Sequence, residues 1–541
     1  MPVYLLLLAA LVLFAGVAFN KLSSRLGVPA LLAFILLGML FGSDGLLKIP
    51  FDNYEFASQV SSFALIFIMF YGGFGTSWKA ARPVAAQSIL LSSLGVVITA
   101  LLTGVFCHFA LGFPLLESLL IGAVLGSTDA ASVFSILRAR NLALKENTSS
   151  LLEVESGSND PCAYMLTSLL LTAMQGQVTG GEVLRMLAAQ VFWGLAIGFA
   201  VGGAASWLMS RLRFGSAGFD TVFVVAAALL AYAAPEALGG NGYLSVYITG
   251  IVLGNSGIKN KRTLVSFFDG LTGMMQVVLF FLLGLLSTPS QMPQVIAPAL
   301  AIALFLTFAA RPAAVFLLLT PFGGSLEQKL LVSWSGLRGA ASIVFAVMTV
   351  ISPAVTDLDI FHIVFVVVLL SIGIQGSLLP AVARRLRMID TAEGADVMKT
   401  FTDYNEEAPV QFIRVELPER HGWCGRPLRE IALPPQTIIA SVRRQDSRFA
   451  PNGSTVLMAG DQLILCAPAA HSDLEEVSMT TRRLTAQDLS GKSITRVSDL
   501  PRQEESLIVL IERNDQWLIP DGDTDLLPGD LLLIHHSDSE I

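Results

Sequence analysis

A chain of 541 residues with 53% hydrophobic and only 14% charged side chains lacks the charge to cover a soluble surface of its own size, which excludes a water-soluble globular protein. Its net charge of −8 is uneven: residues 1–390 carry 20 Lys and Arg against 17 Asp and Glu, and residues 391–541 carry 14 against 25. A mildly positive membrane part therefore precedes an acidic, soluble tail.

Apolar runs long enough to cross about 30 Å of hydrocarbon fall at about 3–20, 28–47, 58–77, 86–111, 115–137, 149–175, 187–210, 219–234, 242–257, 263–287, 295–319, 328–350 and 358–382. This predicts 13 transmembrane helices. The first run has no basic leader and is followed by Asn20-Lys21, so it reads as a retained span. With the N-terminus outside, the inner loops collect 16 Lys and Arg, the outer loops hold only Lys48 and Arg185, and Arg311 and Arg338 lie within spans. The positive-inside rule then places the C-terminus in the cytoplasm. The four cysteines have no paired spacing that would suggest disulfides or zinc.

Gly126-Ser-Thr-Asp-Ala-Ala-Ser132 on span 5 returns as Gly336-Leu-Arg-Gly-Ala-Ala-Ser342 on span 12, 210 residues later and with opposite polarity. Inverted repeats with a midplane site between them are a transporter plan. Gly126, Gly336 and Gly339 would permit broken helices on spans 5 and 12.

Between these repeats, span 6 carries Glu155-Ser-Gly-Ser-Asn-Asp-Pro161. Asp129, Glu155, Asp160, Arg311 and Arg338 lie deep within spans, and ionisable groups there must pair or face water. Glu155 and Asp160, five residues apart, sit about 140° apart on a regular helix and do not share a proton. Arg338 is the expected partner of Glu155, with Arg311 bracing the scaffold near the inner surface. That leaves Asp160 without a cation. Burial favours a carboxylate's protonated form, so such a group can trade a proton for a metal ion. Pro161 frees the Gly157 carbonyl, and Ser156, Ser158 and Thr128 add hard oxygens suited to Na⁺ or K⁺. Thr128-Asp129 has two readings: direct ligation, or neutralising half-helix ends where two broken spans cross.

The tail begins after Arg387 and repeats at an offset of 69: Arg444, Asp446, Pro451, Gly453, Gly460 and Asp461 recur as Arg513, Asp515, Pro520, Gly522, Gly529 and Asp530. Short strand-like runs between turn residues predict two small α+β modules. The layout is a membrane domain at 1–388, a linker at 389–408, and modules at 409–478 and 479–541.

Together these motifs resemble the cation:proton antiporter-1 family, in particular the NhaP-type bacterial potassium/proton antiporters, and the tail resembles a TrkA-C (RCK C-terminal) module. The resemblance implies a secondary transporter, not an enzyme, in the bacterial inner membrane: a homodimer whose core bundle shifts like an elevator, exchanging K⁺ or Na⁺ for H⁺, with membrane lipid around it and no nucleic-acid partner. It implies Asp160 as the shared carrier with Asn159 beside it, Ser156, Thr128 and Asp129 lining the site, and Glu155–Arg338 as a structural ion pair. Asn159 in place of a second acid implies electroneutral exchange. No cofactor is implied beyond a regulatory nucleotide on the tail. One departure is Tyr71, standing where relatives often carry an acid on span 3. The competing classes are a cation channel gated by RCK-like modules, for which no Thr-Val-Gly-Tyr-Gly filter exists, and an intramembrane enzyme, for which no Ser/His or His-Glu-x-x-His set lies in the spans.

Overall fold

Apolar segments in a bilayer can satisfy backbone groups only within themselves, and helices are the result. The computed structural model describes residues 10–16, residues 30–390 apart from 140, 141, 143, 177, 178, 212–216, 259, 260 and 355, and strands and turns of the tail between 410 and 536. The chain divides into two units, Met1–Asn405 and Glu406–Ile541.

The first unit runs through α1 (Ala30–Phe41), α2 (Tyr54–Gly75), α3 (Ala85–Leu111), α4 (Leu115–Val124), α5 (Ala130–Ala139), α6 (Thr148–Met174) and α7 (Gly180–Arg211). It continues through α8 (Ala217–Glu236), α9 (Gly242–Gly254), α10 (Lys261–Leu286), α11 (Met292–Phe322), α12 (Leu326–Trp334), α13 (Ala340–Ile351) and α14 (Ile360–Arg385). Among the described residues, seven helices are long and apolar enough to cross a membrane: α2, α3, α7, α8, α10, α11 and α14. At 27 residues α6 has the length, but Glu153, Glu155 and Asp160 make it too polar to count with them. Spans 5 and 12 are the broken pairs α4/α5 and α12/α13.

Three of the long helices carry a π-turn: Leu91–Gly95 in α3, Leu306–Ala310 in α11 and Ser371–Gly376 in α14. Such single turns often mark functional ground. Here the second immediately precedes Arg311, and the third carries Ser371 and Gln375, which pack beneath the break in span 12. In α6 the helix continues through Pro161, whose carbonyl accepts from Asn241 Nδ2 at 2.8 Å. The core is aromatic where α2 meets α10: the Phe70 and Phe268 ring centroids are 4.9 Å apart.

Among the described residues, the second unit holds two four-stranded antiparallel sheets. The first is ordered β1 (Val410–Glu416), β4 (Gln462–Pro468), β2 (Ile438–Arg444), β3 (Ser447–Phe449). The second is ordered β5 (Ser478–Arg483), β8 (Leu531–His536), β6 (Ser506–Arg513), β7 (Gln516–Leu518). The repeat reaches single contacts. Arg444 Nη2 to Asp461 Oδ2 and Arg513 Nη2 to Asp530 Oδ2 are both 2.7 Å. The register slips at Ile439/Ser441 in one sheet and at Ile508/Leu510 in the other. Buried Val442, Leu457 and Leu463 correspond to buried Ile511, Leu526 and Leu532. The helices expected of an α+β module do not occur among the described residues, which supply strands and one 3-10 turn, Leu428–Glu430.

Candidate functional site

The interruption between α4 and α5 touches the one between α12 and α13. The Asp129 amide donates to the Leu337 carbonyl at 2.8 Å. The Asp129 carboxylate caps α5, accepting from the Ser132 amide at 3.1 Å and the Ser132 hydroxyl at 2.6 Å. It also lies against Gly339, the residue that opens α13, and a Cβ at Gly339 would collide with it. An anion beside two helix N-termini meets their positive ends. This is the end-neutralising arrangement foreseen for Thr128-Asp129, although Asp129 also borders the cavity described below.

Arg338 occupies the second break. Its amide donates to Ser371 Oγ at 3.0 Å and its Nη1 to the Ser127 carbonyl at 2.9 Å. The guanidinium thus meets the carbonyl end that follows α4, the electrostatic counterpart of Asp129. It does not pair with Glu155. Instead Arg311 Nη2 donates to Glu155 Oε2 at 2.8 Å, with the two side chains 3% and 1% exposed. The expected Glu155–Arg338 pair is corrected to Glu155–Arg311, and Arg311 is a buried partner rather than a brace near the inner surface. Depth explains the choice. At about 1.5 Å per residue, Glu155 lies roughly 10 Å along α6 from its start, and Arg311 lies roughly 12 Å from the end of the apolar run on span 11. Arg338 is held in the break, where carbonyls compete for it.

Asp160 is buried, and its Oδ1 accepts a hydrogen bond from Ser127 Oγ. Asn159 Nδ2 donates to Thr128 Oγ1, and Ser156 Oγ donates to the Thr128 carbonyl at 2.8 Å. Span 6 is thereby fastened to the break in span 5 on both sides of Asp160. Asn159 Oδ1, buried, finds no hydrogen-bond partner among the described residues. Ser158 turns its hydroxyl back to the Val154 carbonyl at 2.5 Å. It is not among the groups lining the cavity.

That cavity, of about 340 Å³, is lined by Asp160, Ser156, Gly157, Ser127, Thr128 and Asp129, and across from them by Tyr71 and Asp269. Leu31, Gly75, Phe134 and Glu153 line its other end. Gly157 is required by contact: a Cβ there would stand 2.6 Å from the Tyr247 ring. Carboxylate, hydroxyl and carbonyl oxygens gathered on one side of a cavity can hold a monovalent cation or a proton. Asn159, behind the lining, fixes Thr128.

Three residues were not anticipated as members of the site. Ser127, which bonds Asp160, sits beside two residues that were singled out and is a hydroxyl on the same break. Arg311 was visible as an intramembrane charge, and counting depth would have matched it to Glu155. Asp269 lies seven residues into a predicted span, near its end, and so reads as a loop acid. In the fold, Tyr71 Oη donates to its Oδ1 at 3.5 Å, so a carboxylate faces the cavity beside Tyr71.

The profile of the family described as "Sodium/hydrogen exchanger, transmembrane" matches residues 8–385, and the TrkA-C domain matches residues 412–477. A K(+)/H(+) antiporter NhaP2 of Shewanella sp. (strain MR-4) is 36% identical over 477 residues, covering 87% of this chain and 82% of its own. A K(+)/H(+) antiporter NhaP of Alkalimonas amylolytica is 34% identical over 493 residues, covering 90% and 86%. The structure of the sodium proton antiporter MjNhaP1 from Methanocaldococcus jannaschii at pH 8 aligns with a TM-score of 0.62 at 25% identity, over 70% of this chain and 97% of that one.

Proposed function

This chain belongs to the sodium/hydrogen exchanger family and carries a TrkA-C domain, and from that premise we propose that it exchanges one monovalent cation for one proton across a membrane, both competing for Asp160. The observation that carries the reading is the buried carboxylate of Asp160, bonded to Ser127 and lining the cavity, with the amide of Asn159 as its neighbour. A site that holds either H⁺ or M⁺ on one working carboxylate moves no net charge per cycle. Asp129 is engaged at two helix ends, and Glu155 is neutralised by Arg311. Each of the relatives reported above is named an antiporter, which argues against the channel reading.

Potassium is the proposed cation, because the more similar relatives are named for potassium and the more distant one for sodium. The proposed topology has thirteen crossings, with the N-terminus outside and the two tail modules regulating exchange from the cytoplasm. The test is proton flux in proteoliposomes with K⁺ and Na⁺ compared. Asp160→Asn should abolish cation-driven flux, and an imposed membrane voltage should leave the rate of the native chain unchanged. Flux retained by Asp160→Asn removes the central claim, and flux driven by voltage removes the one-for-one stoichiometry.

A further inference from the structure

A second cavity, of about 240 Å³, lies on another flank of the membrane unit, where the π-turns of α11 and α14 meet the break in span 12. Its lining is mostly apolar, with the polar side chains of Arg311, Arg338, Ser371, Gln375 and Thr307 set into the floor. Its rim is apolar and outward: Leu304, Phe308, Ile374 and Leu378 are 49%, 66%, 57% and 46% exposed, which on a membrane domain means that they face lipid. The recess thus brings a lipid-facing rim close to two buried arginines.

The floor is short of negative charge. Arg311 is met by Glu155 through a single contact, and Arg338 by the Ser127 carbonyl. Arg311 Nε, fully buried, has no acceptor among the described residues. An uncompensated donor and an excess of positive charge at membrane depth call for an anion. A phospholipid phosphate is anchored at the interface, roughly 10 Å above this level at about 1.5 Å per residue. A single-chain acid is not, because its protonated form enters hydrocarbon and its tail can remain outside the rim.

We propose that this recess binds the carboxylate of a free fatty acid, with the head toward Arg311 and Arg338 and the chain leaving between Phe308 and Ile374. Trp334 lines the cavity, its indole N–H donating to the Gln375 carbonyl at 3.1 Å, and it supplies the readout. The full-length chain in phosphatidylcholine vesicles is titrated with dibromostearic acid, a contact quencher of tryptophan. The expected result is saturable quenching that is lost in Trp334→Phe, displaced by unlabelled stearate, and about tenfold weaker for the methyl ester, which lacks the charge-assisted bonds. Ala303→Phe, which narrows the recess without touching its polar floor, should abolish the saturable component. Equal quenching by acid and ester on the native chain overturns the proposal without recourse to any variant. Equal quenching by dibrominated phosphatidylcholine reduces the site to ordinary lipid contact, and a match by dibrominated phosphatidylglycerol transfers it to a phospholipid. Either outcome overturns the fatty-acid assignment.

Discussion

The pairing of Glu155 with Arg311 can be separated from the pairing with Arg338 by two double-mutant cycles. Arg311→Gln leaves Glu155 Oε2 without its donor, and Oε1 already has no partner among the described residues. A carboxylate so abandoned at 1% exposure costs about 3–5 kcal/mol, the usual range for breaking a buried pair from one side. For a chain of this size, at about 1 °C per kcal/mol, that is roughly a 3–5 °C fall in the apparent unfolding midpoint. Glu155→Gln in the same background removes the abandoned charge, so the double variant should recover much of the loss, with a coupling of about 2–3 kcal/mol. The parallel cycle with Arg338→Gln should give a coupling under about 0.5 kcal/mol, because Arg338 is engaged by a backbone carbonyl. Midpoints come from thermal unfolding of the purified chain in detergent, followed by tryptophan fluorescence. Strong coupling of Glu155 to Arg338 together with weak coupling to Arg311 would refute the assignment.

Other consequences are equally exposed. Gly157→Ala places a methyl against the Tyr247 ring and should cost about 1–3 kcal/mol through overpacking; Tyr247→Leu in the same chain should restore part of the midpoint, and no cost at all would place the two helices farther apart than described. Asp269→Asn should raise the cation concentration for half-maximal flux several-fold while leaving maximal flux intact, since its carboxylate faces the cavity but does not touch Asp160; an unchanged cation dependence would remove Asp269 from the ion path. In the tail, hydrogen bonds from Arg444 and Arg513 hold the Asp461 and Asp530 carboxyls below the usual carboxylate range. Their stabilisation is therefore complete above the unfolded value near 4 and lost as pH falls through the depressed folded values. Unfolding followed at Trp423 and Trp517 should be flat from neutral pH to about 5 and weaken only below about 4, and a midpoint falling steadily from neutrality would contradict it.

The motif pair on spans 5 and 12 was legible because broken helices announce themselves through small residues around a charge, and their opposite polarity fixed where they could meet. Asp160 and Glu155 were separable for the same reason: a five-residue offset on a helix forbids a shared proton. Arg338 was misassigned because a sequence gives no account of backbone acceptors, and a broken helix is rich in them: the Ser127 carbonyl competes with any carboxylate for the guanidinium. Asp269 was passed over because hydropathy treats an acid near a span end as surface, whereas the fold turns that end toward the cavity. The tail repeat, by contrast, was legible as recurring residues, but its ion pairs were not, since which of the recurring charges meet is set by how the strands pair.

The bond from Arg311 to Glu155 spans 156 residues of sequence, and that distance is also a delay. At about 5–20 residues per second, the ribosome places Glu155 in the membrane roughly ten to thirty seconds before its counter-charge exists. Asp129 waits still longer for Gly339 and Leu337. During synthesis the first half of this protein thus holds Glu155 before its arginine exists, and the second half brings the group that neutralises it. Truncation just before span 11 would leave Glu155 buried without the arginine that neutralises it.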